Sequence, residues 1–139
     1  MSNAENSADM VARAKPRPLS PHLFIYKPIP TMMASIAHRI TGAALYFGTA
    51  LVAWWLLAAA TGPGAFRTAS AVLGSPLGLL VLFAYTLMLT VHALGGLRHF
   101  IWDTGAMMDK FTSRKMAFAT GIGGLVLTIL IWLGALIAL

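Results

Sequence analysis

The chain has 139 residues, of which 58% are hydrophobic and only 10% charged, where water-soluble domains carry roughly 25% charge. Cysteine is absent, which excludes disulfides, thiol chemistry and iron–sulfur ligation by this chain and leaves histidine or oxygen as metal ligands. The formal net charge of +6 would suit a nucleic-acid binder, but its distribution, taken up below, is that of a membrane protein.

The leader MSNAENSADMVARAK (1–15) is expected to be a disordered tail. Its Glu5 and Asp9 argue against an organelle transit peptide, which is Arg-rich and poor in acids. The remainder, 16–139, is expected to form one membrane domain. Residues 16–30, PRPLSPHLFIYKPIP, contain five prolines and cannot be continuous helix. Phe24, Ile25 and Tyr26 make this stretch too apolar for a free linker, so it reads as a strand-like segment on the headgroups or as a docking segment for a partner on the inner side.

Three apolar blocks follow, each about 20 residues or slightly longer and therefore able to cross roughly 30 Å of hydrocarbon. The expected helices cover about 32–60, 77–102 and 114–139, with Thr31 as the N-cap of the first. A short interfacial helix is expected near 66–73 in the Gly/Pro/Ser-rich connection between the first two spans. Gly121, Gly123, Gly124 and Gly134 in the last span would permit close helix packing. Trp54, Trp55, Trp102 and Trp132 fall near span ends, where belt anchoring is the default role. The first block begins too deep in the chain, and is too long, for a cleaved signal peptide. The fold class expected is therefore all-α, integral membrane, with three transmembrane helices. Arg13, Lys15, Arg17, Lys27 and Arg39 precede the first span, and Arg98, Lys110, Arg114 and Lys115 lie between the second and third. The intervening loop has only Arg67. This asymmetry predicts a cytoplasmic N-terminus and a periplasmic C-terminus.

Against this background the stretch VHALGGLRHFIWD (91–103) stands out, because two histidines, an arginine and an aspartate close an otherwise lipid-soluble helix. At about 100° per residue, His92, His99 and Asp103 lie within roughly 20° of one line. On the first helix Ser35, Arg39, Gly42 and Tyr46 align, with His38 beside them. Both stripes reach the same membrane surface. Arg98 and His99 sit near the boundary, where a long side chain snorkels at little cost. His92 lies about 10 Å deeper and needs a partner: an interhelical hydrogen bond, a water or a metal.

Ala93, Gly95 and Gly96 leave room beside His92 for a flat, bulky group. A haem b needs an imidazole ligand and cations for its propionates, and Arg39 and Arg98, with His38 as a donor, supply that boundary. A six-coordinate haem would then take its second ligand from another chain. A quinone is the other ligand that fits, with Ser35 as hydroxyl donor, Arg39 as fixed cation and Asp103 on a proton route. The plainer reading of both arginines is topology anchoring, and of Asp103 a helix-terminal residue. A small coupled transporter is disfavoured because no span contains a carboxylate.

SPHLFIYKP at 20–28, SIAHRITG at 35–42 and HALGGLRHFIWD at 92–103 together resemble the signature regions of the cytochrome b subunit of succinate dehydrogenase, a membrane anchor of respiratory complex II. That resemblance implies His92 as the axial ligand of haem b, Ser35 and Arg39 at the ubiquinone site with Asp103 close to it, and His38, Arg39 and Arg98 toward the haem propionates. It further implies a flavoprotein subunit, an iron–sulfur subunit and a second small anchor subunit as partners, the last supplying the other haem ligand. Succinate would be oxidised at the flavin and quinone reduced beside this chain, with no dicarboxylate site in the chain itself. The acidic leader favours a bacterial inner membrane. A cofactor-free structural anchor, or the equivalent anchor of a fumarate reductase, is the alternative.

Overall fold

A computed structural model describes residues 27–138. The expected tail 1–15, the proline-rich stretch up to Tyr26 and His22 within it lie outside the described residues. Four helices follow in order: α1 (Pro30–Thr61), α2 (Pro63–Leu73), α3 (Pro76–Asp103) and α4 (Lys110–Ala138), with no strand among the described residues. Helices α1, α3 and α4 have 32, 28 and 29 residues and are apolar enough to cross a membrane. At 1.5 Å per residue they run to about 48, 42 and 44 Å, more than the hydrocarbon thickness, so each also reaches the headgroup region. The protein is all-α and integral to the membrane.

Local chemistry sets the helix ends, in places earlier than the pattern of apolar residues suggests. Helix α1 starts at Pro30, with extended Ile29 at the N-cap position and no side-chain cap. Thr31 is therefore inside the helix rather than its cap, because proline's fixed φ and missing N–H suit the first helical position. Helix α2 likewise begins at Pro63 rather than near Phe66. One residue, Gly62, separates it from α1 at φ +136°, a value an L side chain rarely adopts. The Ser75 hydroxyl accepts the Gly78 N–H at 3.1 Å and caps α3. Helix α4 gains a turn over expectation because Asp109 Oδ1 accepts the N–H groups of Phe111 (3.1 Å) and Thr112 (3.0 Å). Hydrogen bonding from Thr112, then Phe111, holds the Asp109 carboxyl below its ordinary range. The cap's contribution is therefore full above the unfolded carboxylate pKa and fades as pH falls through the lower folded value.

The three long helices run up, down and up. His38 and Gly48 of α1 meet His92 and Tyr85 of α3, in antiparallel order. Thr90 and Thr86 of α3 meet Thr128 and Trp132 of α4, again antiparallel. Ala34 and Ala37 share a cavity with Ala117 and Phe118, so α1 and α4 run side by side in one direction. The N-terminal ends of α1 and α4 and the C-terminal end of α3 thus share one side, which gathers Lys27, Arg39, Lys110, Arg114 and Lys115 and leaves Arg67 at the other.

Packing between the helices is done by small and polar residues. A Cβ on Gly124 would collide with the Val91 side chain and come within 3.0 Å of the Val91 N and Cα. The Thr90 and Thr128 hydroxyls are 2.9 Å apart, and both bond the Gly124 carbonyl, at 2.9 and 2.8 Å. Thr128 is fully buried. Hydroxyl bonds of this kind between membrane helices contribute about 0.6–2 kcal/mol each. Gly123 meets Leu94, whereas Gly121 and Gly134 face open space within this chain and pack against none of its other helices. Trp132 differs from the belt expectation too, since its indole N–H donates to the Thr86 hydroxyl across the α3–α4 seam at 3.3 Å. We expect Gly124→Ala to cost about 1–3 kcal/mol through overpacking, read as a lowered Tm of the purified complex, while Gly134→Ala changes it by no more than about 0.5 kcal/mol.

The large apolar side chains point the other way. Phe47, Ile137 and Leu57 are 73%, 86% and 66% exposed, and the buried apolar residues are alanines. With no apolar core of large side chains among the described residues, these faces depend on lipid or on partner subunits to cover them.

Candidate functional site

Three histidines from two helices meet at the shared, cation-rich end of the bundle. The His38 ring of α1 stacks on His92 of α3, centroids 4.0 Å apart and planes 12° apart. His99, two turns along α3, meets the His38 ring edge-on at 5.1 Å. The rings of His38 and His92 each need a glycine on the opposite helix. A Cβ on Gly95 would collide with the His38 ring, and one on Gly42 would come within 2.9 Å of His92 Cε1. The space expected beside His92 is therefore apportioned differently. His38 fills the gap at Gly95, while Gly96, about 40° from His92 around the helix, faces open space.

The two nitrogens of His92 have different surroundings. Nδ1 lies 3.1 Å from the His38 carbonyl oxygen and 3.2 Å from the Thr41 hydroxyl. A carbonyl only accepts, so Nδ1 carries the proton and donates it. This satisfies the interhelical hydrogen bond that a deep imidazole requires, and it consumes only one nitrogen. Nε2 keeps its lone pair, and among the described residues no hydrogen bond reaches it. No cluster of three or more His, Cys, Asp or Glu suited to a metal ion occurs among the described residues. What His92 offers is one imidazole lone pair, the donor that an axial position of a macrocycle-bound iron takes. His38 Nε2 is buried without a partner among the described residues, a polar atom suited to a propionate oxygen. Together the free His92 Nε2, the open face at Gly96 and the orphaned His38 nitrogen fit a haem.

The remaining predicted residues are distributed less evenly. Ser35 is half-buried, whereas Arg39, one turn on, and Asp103, the last residue of α3, are exposed. They form a rim at the inner end rather than a closed pocket within this chain. Arg98 contradicts the snorkelling expectation. It is only 2% exposed and its guanidinium lies 4.9 Å over the Trp102 ring, lining a cleft with Leu94, Ile101, Met116 and Thr120 on the α4 side. The attraction of a cation to the indole face, and a place about 120° round α3 from His92, turn it inward. Its Nε and Nη1 are buried without partners among the described residues. Sequence reasoning passed over Thr41, which bonds its own helix at Ala37 O (2.9 Å) and His38 O (3.0 Å) as most helical threonines do. The signal available was its place three residues after His38, beside Gly42, in HRITG.

Residues 13–131 match the family described as the succinate dehydrogenase/fumarate reductase transmembrane subunit. The chain belongs to that family. It is 43% identical over 114 residues to the succinate dehydrogenase cytochrome b556 subunit of Paracoccus denitrificans, covering 82% of this chain and 88% of that one. The corresponding subunit of Rickettsia prowazekii (strain Madrid E) is 32% identical over 116 residues, 84% and 90% of the two chains. The mitochondrial cytochrome b560 subunit of Bos taurus is 38% identical over 119 residues, 82% of this chain and 66% of its own. As a transmembrane subunit of this family the chain is a membrane component of an electron-transfer complex, and the three-helix bundle with a histidine cluster at one end is the scaffold it brings.

Gly42 gives the site a direct test. An alanine in mid-helix ordinarily adds about 1 kcal/mol of helix stability over glycine. We expect Gly42→Ala nonetheless to lower the haem content of the purified complex severalfold and to lower its Tm as well, because the new methyl displaces the His92 ring and with it the Nδ1 bond to α1. An unchanged pyridine haemochrome would show that the ring is not held where iron would meet it.

Proposed function

We propose that this chain is the membrane-anchor subunit of a succinate:quinone oxidoreductase, supplying His92 as an axial ligand of haem b and Ser35, Arg39 and Asp103 to the ubiquinone-reducing site. The single observation that supports this reading best is the division of labour on His92, with Nδ1 tied to the neighbouring helix and Nε2 left as a free donor. When bound, the haem supplies a one-electron redox centre and ties this chain to the one carrying its second ligand. That second ligand comes from a second small anchor subunit, whose helices cover the exposed apolar faces. Flavoprotein and iron–sulfur subunits dock on the cation-rich side, taken as cytoplasmic by the positive-inside rule, and the complex sits in a bacterial inner membrane.

The chain's own residues act on the quinone and on the propionates. Arg39, at the headgroup boundary, offers N–H donors and a fixed cation to a quinone oxygen as negative charge develops there. Ser35 adds a hydroxyl donor one turn away. Asp103, exposed at the end of α3, relays protons to the reduced quinone. His38 and Arg39 face the propionates. The Nε and Nη1 groups of Arg98 have no partner among the described residues, and a propionate is the anion this proposal supplies to them. Succinate is oxidised elsewhere in the complex.

The test is to purify the complex through a tag on this chain and record its reduced-minus-oxidised spectrum and subunit composition. The expected outcome is one b-type haem per chain and three co-purifying subunits with quinone-linked succinate oxidation. A complex with those subunits and no b-type band would make the chain a cofactor-free anchor.

A further inference from the structure

The acceptors around His92 Nδ1 carry an inference that rests on the haem reading above and deepens it. Thr41 Oγ1 lies 2.9 Å from the Ala37 carbonyl and 3.0 Å from the His38 carbonyl, both pure acceptors, so its single proton is committed to its own helix. The oxygen it turns to His92 Nδ1 at 3.2 Å is therefore a lone pair. Nδ1–H is shared between that lone pair and the His38 carbonyl at 3.1 Å. Among the described residues no N–H addresses this nitrogen, so the opposite tautomer would set its lone pair against the His38 carbonyl oxygen and could be met only by taking the Thr41 proton from its own helix. Gly42 completes the cradle, because only a residue without Cβ lets the ring approach α1 so closely. In HRITG the histidine carbonyl, the threonine hydroxyl and the missing glycine side chain thus act on one imidazole of another helix.

We propose that Thr41 is the positioning residue that fixes His92 in its Nδ1–H tautomer and raises the basicity of Nε2 toward iron. Acceptors on the distal nitrogen of a ligating histidine orient the ring and strengthen the ligand, and losing one weakens metal affinity about 10- to 100-fold. A more basic imidazole favours ferric over ferrous iron. Loss of the Thr41 acceptor therefore loosens the haem and moves its midpoint potential positive.

The experiment uses the intact purified complex with Thr41→Val, Thr41→Ser and His92→Ala, reading the haem midpoint potential and the rate of haem transfer to apomyoglobin. Thr41→Val, which keeps the shape and removes the hydroxyl, is expected to speed haem loss about tenfold and shift the potential positive. Thr41→Ser is expected to restore both. Wild-type values in Thr41→Val, or Thr41→Ser behaving like Thr41→Val, would overturn the role of Thr41. Should Thr41→Val fail to assemble, Thr41→Ala takes its place in the same comparison with Thr41→Ser. His92→Ala separates the two claims. If it loses the b-type band while Thr41→Val is unchanged, only the present inference falls; if it keeps full haem, the ligand assignment falls and this one with it.

Discussion

His92→Ala is expected to leave the complex with less than about a tenth of its wild-type b-type haem. Even outer contacts of a metal ligand carry 10- to 100-fold in affinity, and removing the ligand itself takes the whole iron–nitrogen bond from this side. The imidazole also holds α3 to α1 through Nδ1 and stacks on His38, so some loss of stability accompanies the loss of haem. Pyridine haemochrome per complex, measured beside the Tm, distinguishes the two effects. Partial restoration of the band by imidazole added to the alanine variant would identify the missing group as the nitrogen donor. Survival of the full band in the variant would remove His92 from the ligand set.

Arg39→Leu is the second large effect. Hydrogen bonds to charged groups contribute about 1.5–3 kcal/mol, so quinone reduction by the complex is expected to fall about 10- to 100-fold while succinate oxidation by an artificial dye stays near the wild-type rate. Ser35→Ala removes a neutral donor and is expected to cost about three- to tenfold in the same assay. Arg39 is exposed on the described chain, so its replacement leaves no cavity and no orphaned partner in the helix bundle. Selective loss of the quinone reaction is what a residue at that site produces. Equal loss of both reactions would instead mean that the arginine is needed for assembly with the dye-reducing subunits.

Much of the architecture was legible because lipid imposes strong rules. Three uncharged blocks of spanning length left little choice but three helices, and the described arginines and lysines, Arg67 apart, grouped at one end as the charge asymmetry required. The polar stripes were legible as well: His38, His92 and His99 meet at one end of the bundle as the 100° rotation placed them. The details that were missed depend on atoms rather than on period. Helix α4 begins four residues early because Asp109 caps it, and a lone aspartate in a loop does not announce a cap. Arg98 turns onto Trp102 instead of outward, a choice between two surroundings that both lie within reach of a long side chain. The glycines of HALGG were expected to make room for a cofactor, yet Gly95 makes room for His38, and the ring of His92 is admitted by Gly42 on the other helix. Spacing along one helix cannot show which neighbour fills a gap. Thr41 was overlooked for a similar reason, since its second contact exists only once α1 and α3 are side by side.

The measurement closest to the centre of this account is an experimental structure of the purified complex at a resolution that places the iron. The account predicts His92 Nε2 at bonding distance from a haem iron, Nδ1 still within hydrogen-bond reach of the His38 carbonyl and the Thr41 hydroxyl, and an axial ligand from a second anchor subunit on the opposite face. A haem held by other residues, with the His92 lone pair turned to lipid or to a neighbouring helix, would contradict it.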